Sequence, residues 1–337
     1  MISQRRYALL LALLTAAITD VMLGWLYSRF GLGDDFLVFW RAVRHGSPYA
    51  FSPLPFGSPP TALLFFQPLK LLPFWPGYIV WDVVGIVLFI QFSTRLYGRK
   101  AAFLGTISPA IVTALIAGQV TLFVGALLFA AFLSEPILCG VLLGFALCLK
   151  PQMMFLAPLL FLFAREFRTF FAFCAAALAI AIVATLACGL SIWTDWLGGM
   201  QNLLTVARHR GALNLTISPM SYHPWLGLLS VPLAIYGLFL CRRLPNTHRA
   251  AAVVAASLFA APYAMVYDLA PLAVFAAVTL LRSSDWRSFG AALAYSGAFG
   301  FFSIPFLWPS LLQAAPTTEN AEPVQPRRMW ITPTRSA

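Results

Sequence analysis

Charge is scarce in this chain and negative charge scarcest, with 11 acidic residues against 22 lysines and arginines in 337 positions. Soluble domains carry charge on roughly a quarter of their residues; here the share is 10%, which excludes a globule surrounded by water. The five cysteines, Cys139, Cys148, Cys174, Cys188 and Cys241, lie within or at the end of apolar runs, without paired metal spacing, and read as small packing residues. No two of the four histidines have ligand spacing and the acids are scattered, so no metal and no cofactor is expected. Asp34 with Asp35 offers the hard oxygens a divalent ion prefers, but only as a weak site. The sequence shows no internal repeat and no soluble catalytic domain.

What fills the chain is hydrocarbon: 61% of residues are apolar and the mean hydropathy is +0.83, the composition of a polytopic membrane protein. A helix crosses the ~30 Å apolar core with about 20 residues, and suitable stretches run over 7–29, 76–96, 101–134, 136–164, 169–192, 224–241, 249–281 and 288–312. Several are long enough for two short helices, giving an all-α bundle with about 8–11 crossings. The first stretch starts like a signal peptide, with Arg5 and Arg6 before an apolar run, but it carries Asp20 and reaches Tyr27 without a small-residue cleavage site, and so reads as a retained helix. The excess positive charge sits in clusters at span ends (Arg95, Arg99, Lys100; Arg165, Arg168; Arg242, Arg243, Arg249; Arg282, Arg287), the pattern of cytoplasmic loops rather than of nucleic-acid binding.

The expected organisation is one membrane domain over 1–312, with a first extracytoplasmic loop over 28–60 and a second over 191–223, and a disordered polar tail over 313–337. The expected location is the cell membrane, with the N-terminus cytoplasmic. Within the first loop, Phe36 to His45 reads as a short amphipathic helix, followed by a Gly- and Pro-rich run. Thr61 to Pro73, broken by Pro68 and Lys70, either crosses or is re-entrant.

Against this background Asp34 and Asp35, adjacent acids at a membrane exit, are the most pointed chemical feature. One of them can serve as a general base, since adjacent carboxylates raise one another's pKa, or they can cap the helix that begins at Phe36. Lys150 and Asp268 are charges inside apolar spans, which are costly there; the alternatives are an interfacial cation and a polar network with Tyr263 and Tyr267. Arg208, His209 and Arg210 in the second loop offer donors to a phosphate or to lipid headgroups. His223 offers a titratable group or a helix cap. Trp40, Trp193, Trp196 and Trp225 can stack on a sugar or form an interfacial belt.

Several motifs then fall in order: Asp35-Phe36 with Phe39 and Trp40; Gly46-x-Pro48-Tyr49; Pro59-Pro60-Thr61-Ala62-Leu63-Leu64; Pro68-Leu69-Lys70-Leu71-Leu72-Pro73; Gly118-Gln119; Gly140 to Gly144 running into Lys150-Pro151; Asn214 to Ser218; and Pro262-Tyr263 with Tyr267-Asp268-Leu269. Together they resemble glycosyltransferase family 87, of the GT-C superfamily, with a departure at Ser58, where the family usually has an aromatic residue. The resemblance implies a GT-C-like helix bundle with extracytoplasmic catalytic loops. It also implies transfer of a hexose, mannose first, from a polyprenyl-phosphate donor to a hydroxyl on a glycolipid or glycan acceptor, with inversion. Asp35 would stand at the catalytic aspartate position beside Asp34. Arg208, His209, Arg210, His223 and Lys150 would meet the donor phosphate; Trp40, Tyr49, Gln119, Tyr263, Tyr267 and Asp268 would contact substrate. The competing class is a transporter or flippase of a lipid-linked substrate, which would place its site near the midplane, commonly between repeated halves. A non-catalytic scaffold is a third, and would leave the external acids without a role.

Overall fold

The computed structural model describes residues 2–27, 31–44, 48–49, 56–209, 216–283, 285–297 and 303–312. They form helices, with one isolated bridge between Thr216 and Met265. The chain opens with α1 (Ile2–Tyr27), α2 (Asp34–Ala42) and α3 (Pro60–Phe66), a 3₁₀ turn (Gln67–Leu71), and then α4 (Phe74–Tyr97), α5 (Arg99–Thr106), α6 (Pro109–Ala117) and α7 (Thr121–Phe132). The middle is α8 (Pro136–Leu149), α9 (Pro151–Met154), α10 (Ala157–Ala164), α11 (Phe167–Cys188) and α12 (Ile192–His209). It closes with α13 (Pro219–Tyr222), α14 (Gly227–Cys241), α15 (Asn246–Ala260), a 3₁₀ turn (Val266–Leu269), α16 (Ala270–Arg282), α17 (Arg287–Ser296) and α18 (Ser303–Leu312).

Among the described residues, three helical stretches are long and apolar enough to cross a membrane, Phe74–Tyr97, Phe167–Cys188 and Pro224–Cys241. They expose Ile79, Val83, Val87, Leu178, Ile182, Leu186, Leu229 and Leu233, an apolar surface that lipid can cover and water would not tolerate. The expectation of about 8–11 crossings is not met by unbroken helices. The run 101–134 divides into α5, α6 and α7, with α5 and α6 bent by 58°, because Pro109 starts a new helix and Gly118 ends one at φ +69°. Pro151 divides the next run, 136–164, in the same way. Pieces such as α7, 12 residues or roughly 18 Å, are too short to span alone. Thr61 to Pro73 folds as the short α3 and its 3₁₀ turn, and Trp40 Nε1 of α2 donates to the Leu72 carbonyl at 3.0 Å near its end.

The bundle has two unlike ends. At one, Tyr97 donates to the Thr247 carbonyl at 2.8 Å, Asn246 to the Phe132 carbonyl at 2.8 Å, and Arg249 pairs with Glu166 at 2.7 Å. The basic clusters at Arg95–Lys100, Arg165–Arg168 and Arg242–Arg249 therefore gather there. At the other end lie α2, the C-termini of α6, α8 and α15, and the start of α7. Helices α8 and α11 are joined by Gly140 and Gly144, where any Cβ would collide with backbone of Thr169 and Phe173. This contact fixes where α8 ends, and hence where Lys150 lies.

Candidate active site

Helix α2 has only 9 residues, too few to persist alone, so its position depends on what its apolar face meets. Phe36, Phe39 and Ala42, three apart and buried, supply that face. Phe36 packs 5.5–6.1 Å from the rings of Phe74, Tyr78 and Trp81, and Phe39 stacks on Phe66 at 4.5 Å with Phe56 at 6.2 Å. The helix begins at Gly33 (φ +73°), whose amide donates to the Ile116 carbonyl at 2.8 Å. Asp34 and Asp35 thus form its first turn and do not precede it. The N-cap position itself is held by Gly33, which has no side chain to offer. Both acids still face the positive end of the helix dipole.

A second element fixes what Asp35 meets. Gly118, closing α6, lies so close to Phe36 that an added Cβ would be 2.5 Å from the Phe36 Cβ. Its carbonyl accepts from Trp81 Nε1 at 3.0 Å. Next to this contact in sequence, Gln119 follows Gly118 and Asp35 precedes Phe36, and both line one cavity. Burial pushes the Asp35 carboxyl up to about 6; Gln119 and Lys150 pull it down, and Asp34 and Asp268 add to the rise.

Behind Gln119 is a buried ion pair. Lys150, at the break between α8 and α9, places Nζ 2.5 Å from Asp268 Oδ1. The same ammonium donates to Thr121 Oγ1 at 2.6 Å and to Gln119 Oε1 at 3.0 Å, and lies 4.5 Å over the Tyr267 ring. Thr121 donates to Asp268 Oδ1 at 3.2 Å, and the Met265 amide to Asp268 Oδ2 at 3.0 Å. All three ammonium protons are therefore directed at protein acceptors.

Asp35, Val38, Phe39, Gly57, Ser58, Gln119, Lys150, Gln152, Tyr263 and Tyr267 line a partly open cavity of about 90 Å³. Six of the expected site residues, Asp35, Gln119, Lys150, Tyr263, Tyr267 and Asp268, are thus within one constellation. Others are placed elsewhere. Trp40 is turned to the Leu72 carbonyl, with the Arg44 guanidinium 4.1 Å over its ring. Tyr49 is buried and donates to the Ser58 carbonyl at 3.1 Å, supporting the cavity wall from behind. His223, exposed between α13 and the following turn, has its ring 5.7 Å from Trp225 and does not line the cavity. Arg210 and the side chains of Arg208 and His209 lie outside the described residues. The two expected loops do meet: Trp196 of α12 donates to the Gly57 carbonyl at 3.4 Å.

Thr121, Gln152 and Ser58 are the site's unanticipated members. Thr121, two residues beyond Gln119, and Gln152, two beyond Lys150, are polar positions next to motifs already singled out; Ser58 had been marked as a departure from the family pattern. Among the described residues no group of three His, Cys, Asp or Glu side chains is close enough to hold a metal ion.

The profile of glycosyltransferase family 87 matches residues 56–267, nearly two thirds of the chain. Asp268 falls just outside the matched range and Asp34 and Asp35 well before it, so their part in the site is carried by geometry. No curated protein and no solved structure matches the chain. Glycosyl transfer, not transport or scaffolding, is the activity that this family describes, and the chain belongs to glycosyltransferase family 87 as a membrane glycosyltransferase.

Proposed function

We propose that this protein transfers a hexose, with mannose the first candidate, from a polyprenyl-phosphate donor to a hydroxyl of a glycolipid or glycan acceptor, with Asp35 as general base. The carboxylate takes the proton of the acceptor hydroxyl and the freed oxygen attacks the anomeric carbon from the face opposite the phosphate. The bond from that carbon to the phosphate oxygen breaks with inversion, and the phosphate leaves with the electron pair. The observation that carries this reading is Asp35 itself: a carboxyl on a wall of the cavity, pushed up to about 6 by burial, still ionised near neutrality yet basic enough to accept a proton.

The polarity of the bundle supports an extracytoplasmic site in the cell membrane. Its basic clusters lie at the end away from Asp35, and basic loops face the cytoplasm. The helical break at Lys150 puts polar side chains of the cavity within reach of a lipid-borne headgroup. The apolar outer surface lets donor and acceptor lipids arrive by lateral diffusion. No metal step is needed for this chemistry.

The test is transfer of labelled mannose from synthetic polyprenyl-phosphate-mannose by purified protein in lipid, with host membrane lipids and glycans as acceptors. Asp35→Asn should lower turnover by about 10²–10⁴-fold while the protein remains folded. Full activity in the folded variant would remove Asp35 from the role of base. Wild-type activity should fall as pH drops through about 6, because protonation removes the base; an acid limb far from that value would point to another group. Chelator should leave turnover unchanged.

A further inference from the structure

We infer that Asp268, Lys150 and Gln119 form a positioning chain for Asp35, in which the Lys150 ammonium fixes the Gln119 amide and does not serve as a ligand for the leaving phosphate. This rests on the reading of Asp35 as the base, and extends it to what holds that base in place.

The donor count makes the first argument. An ammonium has three N–H groups, and those of Lys150 meet Asp268 Oδ1, Thr121 Oγ1 and Gln119 Oε1 at 2.5, 2.6 and 3.0 Å. A phosphate oxygen would have to displace one of these acceptors, each of which is itself buried. Asp268 is tied down in turn by the Met265 amide on Oδ2 and by the Thr121 hydroxyl on Oδ1. The cation is therefore anchored to backbone on the side away from the cavity.

The second argument is the sense of the amide. Gln119 can face an ammonium only with its oxygen, because an ammonium accepts nothing. Its NH₂ group is then turned away from the cation, at the cavity that Asp35 also lines, where it favours the Asp35 carboxylate. Without Lys150 the amide is free to flip and set its oxygen against the carboxylate, a repulsive contact. One neutral side chain thus joins a buried cation to a half-buried anion. The backbone prepares the same register, since Gly118 against Phe36 brings their sequence neighbours, Gln119 and Asp35, to one cavity.

The charges that act on Asp35 are Asp34 on its own helix, Lys150 at the end of α8, and Asp268 in the turn before α16, with Tyr263 and Tyr267 on the cavity wall. Gln119 and Lys150 favour the carboxylate, whereas burial, Asp34 and Asp268 oppose it. Removing the Gln119 donor must therefore raise the pH at which Asp35 ionises.

The experiment titrates Asp35 by infrared difference spectroscopy, using as its signature the carboxyl band that is absent in Asp35→Asn, in wild type and in Gln119→Leu. The Leu variant leaves Lys150, Thr121 and Asp268 together. The expected result is a midpoint higher by about one pH unit, an acid limb of mannose transfer displaced by the same amount, and an unchanged KM for polyprenyl-phosphate-mannose. Lys150→Met combined with Asp268→Leu, which removes both charges, should move the midpoint in the same direction. An unmoved midpoint in Gln119→Leu overturns the chain, as does a raised donor KM with a fixed midpoint in the double variant, which would return Lys150 to the phosphate. Because the infrared midpoint needs no turnover, loss of the base assignment through an active Asp35→Asn protein and loss of the positioning chain are separate results.

Discussion

Two ion pairs show how differently one chemistry can be used in this molecule. Arg287 and Asp285 meet at 2.7 Å at the start of α17, with side chains 23% and 43% exposed; Lys150 and Asp268 meet at 2.5 Å with 7% and 0% exposed. At the rim, Arg287 holds the Asp285 carboxyl below its usual range, mainly through hydrogen bonding, and water screens the pair. Inside, desolvation of two charges consumes most of their attraction, so the pair is poor value as a source of stability. What it supplies is direction, because Lys150 and Asp268 hold Gln119 and Thr121 in one arrangement. The lesson is that an interior charge should be asked what it orients before it is asked what it stabilises.

The comparison can be broken most forcefully by separating the inner pair. Lys150→Met alone leaves Asp268 buried beside a methyl group and should cost about 3–5 kcal/mol, read as a large loss of thermal stability in detergent. Adding Asp268→Leu to it should restore most of that stability while transfer stays impaired. Recovery of both together would mean the pair is structural only. A smaller effect sharpens the role of the register: Gly118→Ala puts a side chain at φ +69° and against Phe36, for about 1–3 kcal/mol of crowding, and should depress turnover more than donor binding. At the bottom of the scale, Arg287→Ala should shift stability by less than about 1 kcal/mol and leave transfer untouched. A change as large as that of Lys150→Met would erase the distinction between rim and interior.

Much of the bundle was legible in sequence because hydrophobic length is a strong signal. The stretches 76–96, 169–192 and 224–241 correspond to Phe74–Tyr97, Phe167–Cys188 and Pro224–Cys241. The breaks were less legible. Pro109, Gly118 and Pro151 interrupt runs whose composition alone is continuous, and only packing decides whether such residues kink a helix or end it. The start of α2 shows the same limit on a small scale: Gly33 at positive φ admits two further residues to the helix that Phe36 was expected to begin. At the site, Asp35, Gln119, Lys150, Tyr263, Tyr267 and Asp268 could be named one by one, because polar residues in apolar surroundings are costly and therefore informative. Their mutual geometry was not legible, since it depends on four segments distant in the chain. Trp40 and Tyr49 were misleading for a related reason. An aromatic residue with a polar tip satisfies a backbone carbonyl as readily as it contacts a sugar, and the sequence is the same in both cases.

The glycine joint between α8 and α11 has a consequence for where the site takes its bearings. Gly140 and Gly144 press α8 onto the backbone of Thr169 and Phe173, with no side chain between them that could repack. Ten residues after Gly140 comes Lys150, and α11 is among the helices most open to lipid, exposing Phe171, Leu178, Ile182 and Leu186. The ammonium at the heart of the polar network is therefore surveyed from a lipid-facing helix, and its datum is the bilayer and not the aqueous loops above it.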